Sequence, residues 1–345
     1  MTDLLGDVLR RTSRTFYLSL AILPRALREP VGLAYLLARA TDTVADTRLI
    51  PRPERLAHLR TLRAAYLGSP ADVGAVGRAC APHQALDAER ELLTRVAEAL
   101  ARVERLPATD REAVRGVLAT ITDGQLFDLE RFPGEDAATL AALETPDELD
   151  RYTYLVAGCV GEFWTVMHLA HRPRLARWDR AAMSARGVRF GKALQMTNVL
   201  RDVPIDLRHG RCYIPARQLA TLGLTPRDLL DSKTTPRARP VLDRLLGATL
   251  AHYDEAWRYT LAIPKMEWRM RLACAWPLLI GLATLAAIAA HPDPLAAERA
   301  IKISRRAVRA MLARSTVAVW SDTALRAEAA RLSSPLRGLR GERTV

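Results

Sequence analysis

Cysteine is scarce in this chain and never paired in sequence: Cys80, Cys159, Cys212 and Cys274 are scattered over 345 residues without one CxxC. That spacing excludes a disulfide framework and fits a reduced, cytosolic compartment. Cys80 and His83 have a ligand-like separation, but no second pair answers them, so no zinc site is expected. Secretion is not expected either, because Asp3 and Asp7 occupy the place where a signal peptide would carry a basic segment and apolar run. Lysine is nearly missing: only Lys192, Lys233, Lys265 and Lys302 stand among 51 basic residues, which exceed the 38 acidic ones by 13. The excess is therefore arginine, whose planar fork suits phosphate, and it favours an anionic partner. No Gly/Ser or Pro tract divides the chain, no internal repeat is evident, and strand-like alternation is almost absent.

What the chain has is helical texture. A content of 49% hydrophobic and 26% charged residues suits a folded protein with a substantial core. Apolar residues recur at helical spacing, as in Leu92, Leu93, Val96, Leu100 and Val103, and again in Leu242, Leu245, Leu246 and Leu250. Thr145-Pro-Asp-Glu carries the N-cap, first-turn proline and acidic third position of a helix start. These signals predict an all-α architecture of about ten helices. One domain is expected over 1–345, with its core at 8–330 and a basic tail at 333–345. Leu272 to Ala290 is uncharged over 19 residues, long enough to be a candidate membrane span. Its alanines, Pro277, Gly281 and terminal His-Pro-Asp-Pro read better as a buried helix able to wall a cavity for a greasy ligand.

Two stretches place aspartates four apart: Tyr35-Leu-Leu-Ala-Arg39-Ala-Thr-Asp42-Thr-Val-Ala-Asp46, and Gln195-Met-Thr-Asn198-Val-Leu-Arg201-Asp202-Val-Pro-Ile-Asp206. On a helix that spacing sets both carboxylates on one face, about 6 Å apart along the axis. With 21 aspartates in the chain, about one such pair is expected by accident, and Asp3 with Asp7 is an instance without supporting neighbours. The neighbours separate the other two from accident. Tyr35, Arg39, Asp42 and Asp46 form one stripe on a helix otherwise built of Leu, Ala, Val and Thr, which suits an internal cleft better than solvent. Gln195, Asn198 and Asp202 repeat the device, with Arg201 alongside and Asp206 one turn on. Mg²⁺ binds through one or two carboxylates plus phosphate oxygens, so two facing pairs suit a metal-bridged diphosphate. Metal and arginine together would neutralise a departing diphosphate, and the resulting carbocation would need a dry pocket with aromatic faces.

At these residues the chain resembles the squalene/phytoene synthase family of head-to-head prenyl synthases. Ser13-Arg14-Thr15-Phe16 resembles that family's opening motif, and Tyr35 to Asp46 its first aspartate-rich helix. Tyr152-Thr-Tyr-Leu-Val-Ala-Gly158-Cys-Val-Gly161 resembles its central tyrosine–glycine helix, and Gln195 to Pro215 its second aspartate-rich region and flap. Within the family, Cys274-Ala-Trp-Pro277 and Ile301-Lys302-Ile-Ser-Arg305-Arg306 are more similar to squalene synthases than to phytoene synthases.

The resemblance implies an all-α isoprenoid synthase fold around a central hydrophobic cavity. It also implies condensation of two farnesyl diphosphates through presqualene diphosphate, then NADPH-dependent reduction to squalene. Mg²⁺, or Mn²⁺ in its place, would be bound by Asp42, Asp46, Asp202 and Asp206. Substrate would be held by Ser13, Arg14, Phe16, Tyr35, Arg39, Gln195, Asn198, Arg201 and Arg211, with Tyr152, Arg39, Asp42 and Asp202 catalytic. Gly158 and Gly161 would let a helix approach the prenyl chain closely, and Lys302 and Arg305 would contact NADPH phosphate. No Gly-rich dinucleotide fingerprint is present, but the family holds its reductant without a Rossmann domain. The second motif departs from the family pattern: Ile205 stands where an acidic residue is common, and Pro204 predicts that Asp206 sits at a kink or beyond the helix end. Phytoene or dehydrosqualene synthase, which uses no reductant, is the nearby alternative. A basic helical protein binding nucleic acid or anionic membrane is a different one, disfavoured because the arginines are spread rather than clustered. The expectation is thus a cytoplasmic enzyme with no nucleic-acid partner, whose greasy product allows peripheral contact with the cytoplasmic membrane face.

Overall fold

The computed structural model describes residues 3–13, 17–296 and 300–339. Arg14 and Phe16 of the opening motif, and the last six residues of the basic tail, lie outside the described residues. Twelve helices carry the argument below: α1 (Arg25–Asp46), α2 (Arg52–Tyr66), α3 (Asp87–Thr94), α4 (Val96–Glu104), α5 (Ala108–Arg131), α6 (Pro146–Thr153), α7 (Cys159–His171), α8 (Arg180–Arg208), α9 (Thr235–Ala262), α10 (Trp268–Ala290), α11 (Arg305–Ala318) and α12 (Asp322–Ser333). The two strands among the described residues, β1 (Ala141–Ala142) and β2 (Arg211–Cys212), pair in parallel. The fold is all-α, as the helical periodicity predicts.

Internal contacts group the chain into two compact units, residues 1–130 with 159–184, and residues 131–158 with 185–345. In the first, α1 buries Leu33, Leu36, Leu37, Ala40 and Val44 and packs on α2, α4 and α7. Thr41 Oγ1 lies 2.9 Å from Tyr66 Oη, so a hydroxyl pair joins α1 to α2 inside the core. The C-terminal end of α1, which carries Asp46, is pinned from outside. Arg55, 1% exposed, donates from Nη1 to the Ala45 carbonyl at 2.9 Å, and Gln84 Nε2 donates to Thr47 Oγ1 at 2.8 Å. A buried cation on the last carbonyls satisfies groups the helix leaves open and opposes the negative end of its dipole. On α7, fully buried His168 donates from Nδ1 to the Trp164 carbonyl at 2.8 Å, while its Nε2 has no partner among the described residues.

In the second unit α8 is the spine. Thr197 Oγ1 lies 2.9 Å from Tyr253 Oη on α9, and Gly281 lets α10 close on the same tyrosine, whose Oη would stand 1.8 Å from an added Cβ. Gly191 allows the other close approach, since a Cβ there would fall 2.0 Å from the Ala157 carbonyl oxygen. Helix α8 runs on through Pro204 to Arg208, so Asp206 lies in its last turn rather than beyond its end. A proline deletes one amide donor, and the neighbouring turns hold the helix across the gap. The stop comes later, at Gly210 with φ +77°, in the left-handed region that glycine adopts without strain. The apolar segment expected to be a core helix is α10. With the turn before it, residues 265–290 are long and apolar enough to cross a membrane, yet 61% of the apolar 18-residue stretch within them is buried. It packs against α9, α11 and α12 as a core helix does.

Candidate functional site

The first aspartate stretch forms the stripe its spacing predicts. Tyr35, Arg39 and Asp42 are half-buried on α1, and Asp46 is exposed at its end. Arg39 Nη1 donates to Asp42 Oδ2 at 2.6 Å, and Nη2 donates to Glu89 Oε1 on α3. Gln125 of α5 donates from Nε2 to Asp42 Oδ1 at 3.1 Å. Burial first, and then the Asp46 carboxylate, push the Asp42 carboxyl up to about 7 against the lowering pull of Arg39. Glu89 and Asp128 add to the rise. With 36% of the Asp42 side chain in solvent the desolvation part of the rise is tempered, while the crowding of Asp46, Glu89 and Asp128 acts in the same direction.

Glu89, Gln125 and Asp128 escape the sequence reading. Gln125 and Asp128 stand three apart on α5, where a short polar stripe looks like any solvated helix face, and only the burial of Asp128 marks it out.

The second stretch builds a different arrangement within its own unit. Gln195 Nε2 donates to Tyr152 Oη at 3.4 Å, and Asn198 Nδ2 donates to Gln195 Oε1 at 3.4 Å. The buried Tyr152 ring stacks on Tyr213 with centroids 4.7 Å apart and planes 23° apart. Phe132 meets the other tyrosine edge-on at 5.1 Å. Tyr213 follows β2, so the short strand pair fixes the segment that carries it. Arg201 grips its neighbour Asp202 through both Nε, at 2.9 Å from Oδ1, and Nη2, on Oδ2. Asp206 and Arg211 are half-buried.

Tyr152 lies in the last turn of α6, an ordinary helical segment. Residues 154–158 then widen into a π-helical turn that leads into α7, a distortion frequent at functional sites. A Cβ on Gly158 would meet Tyr154 Cδ2 at 3.1 Å and Val188 Cγ1 at 3.2 Å, so this glycine lets α8 pack closely. Lys192, 8% exposed on α8, donates to Asp150 Oδ1 at 2.6 Å beside the same turn.

Ser13, Lys302 and Arg305 complete the expected set among the described residues. Ser13 is buried and donates from Oγ to the Leu9 carbonyl of its own helix at 2.5 Å. Lys302 and Arg305 are exposed, the second opening α11 behind the N-cap Ser304. All four cysteines are buried and free, and burial pushes the Cys80 thiol up to about 11.

Among the described residues, no group of three or more His, Cys, Asp or Glu side chains is arranged to hold a metal. The donor set nonetheless fits Mg²⁺ of the kind that completes its shell with water and phosphate oxygens. Asp42 and Asp46 are two hard oxygen donors whose mutual repulsion a divalent cation would relieve. For NADPH the fit is one of charge alone: Lys302 and Arg305 offer two exposed cations to phosphate groups.

The architecture is that of the isoprenoid synthases. Superposition on a TcSQS complex gives a TM-score of 0.77 at 21% identity, covering 99% of this chain and 92% of the other. Squalene synthase HpnC from Alicyclobacillus acidocaldarius gives 0.58 at 21% identity, covering 82% and 91%. The sequence profile described as squalene/phytoene synthase matches residues 9–307, and the chain belongs to that family. Presqualene diphosphate synthase of Rhodopseudomonas palustris is 30% identical over 70% of this chain and 72% of its own length. The 15-cis-phytoene synthase of Synechocystis sp. is 28% identical over 74% and 68%. Squalene synthase of Schizosaccharomyces pombe is 25% identical over 83% of this chain and 59% of its own length. Family membership thus makes the chain a prenyltransferase-type enzyme of isoprenoid biosynthesis with prenyl diphosphates as its substrate class. Relatives of comparable identity carry three different activities, so membership alone selects no product.

Proposed function

We propose that the chain is a squalene synthase, condensing two farnesyl diphosphates head-to-head through presqualene diphosphate, with NADPH-dependent reduction to squalene. The observation that carries the diphosphate chemistry is the crowding of acids at Asp42, where burial and Asp46 hold a carboxyl near neutrality. Asp42, Asp46, Asp202 and Asp206 would hold Mg²⁺, or Mn²⁺ in its place. The metal, when bound, neutralises charge on a departing diphosphate. Arg39, Arg201 and Arg211 add guanidinium donors, and the Arg39 fork is oriented in advance by Asp42 and Glu89.

Tyr152 supplies the second half of the reading. Its oxygen accepts from Gln195, which orients the phenol for proton transfer at a reacting group. Its ring is held by the Tyr213 stack, and the pair offers π-faces to a developing carbocation. The choice of squalene within the family rests on the similarity of Cys274 to Pro277 and Ile301 to Arg306 to squalene synthases. Lys302 and Arg305 are the residues proposed for the phosphates of NADPH, which supplies hydride when bound.

The test incubates pure protein with farnesyl diphosphate and Mg²⁺, with and without NADPH. Squalene only with NADPH, and presqualene diphosphate without it, is the expected outcome. Equal hydrocarbon output in both arms overturns the reading in favour of dehydrosqualene synthase. Turnover of the C20 diphosphate alone favours phytoene synthase, the reading to which the Synechocystis relative lends weight.

A further inference from the structure

Unlike the rest of its length, the start of α10 is not covered. Met266, just before the helix, is 66% exposed, and Trp320, just after α11, is 51% exposed. Trp268 and Trp320 meet with ring centroids 6.1 Å apart, joining the two segments at the surface. Val317, one turn before Trp320, is 80% exposed. Four large apolar side chains therefore lie at one end of a two-helix layer, where isolated exposed residues would have needed no explanation.

The exposed charge around them is mainly positive. Lys265 precedes Met266 and is exposed, and the Arg269 guanidinium lies 5.2 Å above the Trp268 ring. Of the nearby acids, Glu267 is 3% exposed, and Asp322, with 42% of its side chain exposed, is paired with the buried Arg271. The platform is also rigid. Arg271 donates from its other nitrogen, Nη1, to the Ile263 carbonyl at 2.7 Å, and Trp276 Nε1 donates to Ser315 Oγ at 3.0 Å, tying α10 to α11.

Indole rings that are apolar in body and polar at one edge, flanked by lysine and arginine, match the layered polarity of a bilayer interface. We infer that this end of α10 and α11 is a docking surface for an anionic lipid bilayer, with Met266, Trp268, Val317 and Trp320 entering the headgroup layer and Lys265 and Arg269 meeting lipid phosphate. The uncompensated cations select a lipid surface over an apolar partner protein, because anionic headgroups attract such residues and a hydrophobic interface would have to bury them.

Co-sedimentation of the full chain with vesicles tests it, using phosphatidylcholine alone and phosphatidylcholine with one-third phosphatidylglycerol. The expected result is binding to the anionic vesicles that weakens with added salt. Lys265→Ala with Arg269→Ala weakens it about twenty-five-fold, at about fivefold per cation. Val317→Ser with Trp320→Ser lowers binding to both kinds of vesicle, while Leu49→Ser, which removes an equally exposed leucine elsewhere, changes nothing. A circular-dichroism melt of each variant matching the parent shows that the fold is kept. Undiminished vesicle binding by both double variants overturns the inference. So does sedimentation velocity showing a dimer that the Val317→Ser, Trp320→Ser variant alone dissolves, since the patch would then be a contact between copies.

Discussion

Arg39 holds Asp42 from three residues away on the same helix, with Nη1 2.6 Å from Oδ2, yet the carboxyl it holds is pushed up to about 7. One cation is outvoted by burial and by three neighbouring acids. A group whose folded pKa is raised favours the folded state while protonated and loses that contribution as pH climbs toward the folded value.

At pH 8 the charged Asp42 is therefore a destabilising feature that Asp42→Asn removes. With a third of the side chain in solvent the gain is about 1 kcal/mol, or about 2 °C in Tm, while turnover falls about 10³-fold or more. Differential scanning calorimetry alongside product formation checks both, and a lower Tm at pH 8 would contradict the account of crowded acids. The gain shrinks toward pH 5, where wild-type Asp42 is already protonated.

Tyr152→Phe keeps the Tyr213 stack and loses the hydroxyl, so diphosphate binding persists while presqualene diphosphate formation slows by about 10²-fold. Tyr213→Leu does the reverse, keeping the hydroxyl and losing ring positioning worth about 1 kcal/mol. Single-turnover kinetics separates the two, and an undiminished first step in Tyr152→Phe removes that phenol from the chemistry.

Gly191→Ala sets a methyl 2.0 Å from the Ala157 carbonyl oxygen and 2.6 Å from its carbon, both backbone atoms that cannot swing aside. A loss of about 3 kcal/mol is expected in urea unfolding. Gly116→Ala meets nothing within 4 Å on α5 and serves as the contrast, with a gain of about 0.5–1 kcal/mol.

His168 supplies the acid-side dependence. Burial lowers it to about 4, so the unfolded chain binds its proton first as pH falls, and stability drops between about 6.5 and 4. Its share is about 2–3 kcal/mol by pH 4.5. His168→Gln flattens that part of the stability-versus-pH curve, read from urea midpoints at each pH. His252, lowered to about 4 in the same way, accounts for part of the slope that remains.

The helical stripe from Tyr35 to Asp46 is legible in the sequence because its residues follow one helix, where spacing and geometry are the same statement. The partners of that stripe are not. Glu89 lies 50 residues from Arg39 and Gln125 lies 83 from Asp42, so packing rather than periodicity brings them in. Tyr213 is hidden for a related reason, since a parallel strand pair two residues long leaves no alternation to read. Of the two placements that Pro204 suggests for Asp206, only the one beyond the helix end fails: proline disfavours a helix interior, but one missing donor does not end a helix of 29 residues.

That same proline divides the second aspartate pair mechanically. Pro204 has no amide to give the Leu200 carbonyl four residues back, so the rung that would brace Asp202 to the turn carrying Asp206 is missing. The two carboxylates share a helix without sharing an unbroken hydrogen-bond ladder: Asp202 is gripped by Arg201, and the turn carrying Asp206 is joined to it with one rung fewer. Restoring the rung with Pro204→Ala should slow amide exchange over residues 205–208 and leave residues 195–202 unchanged.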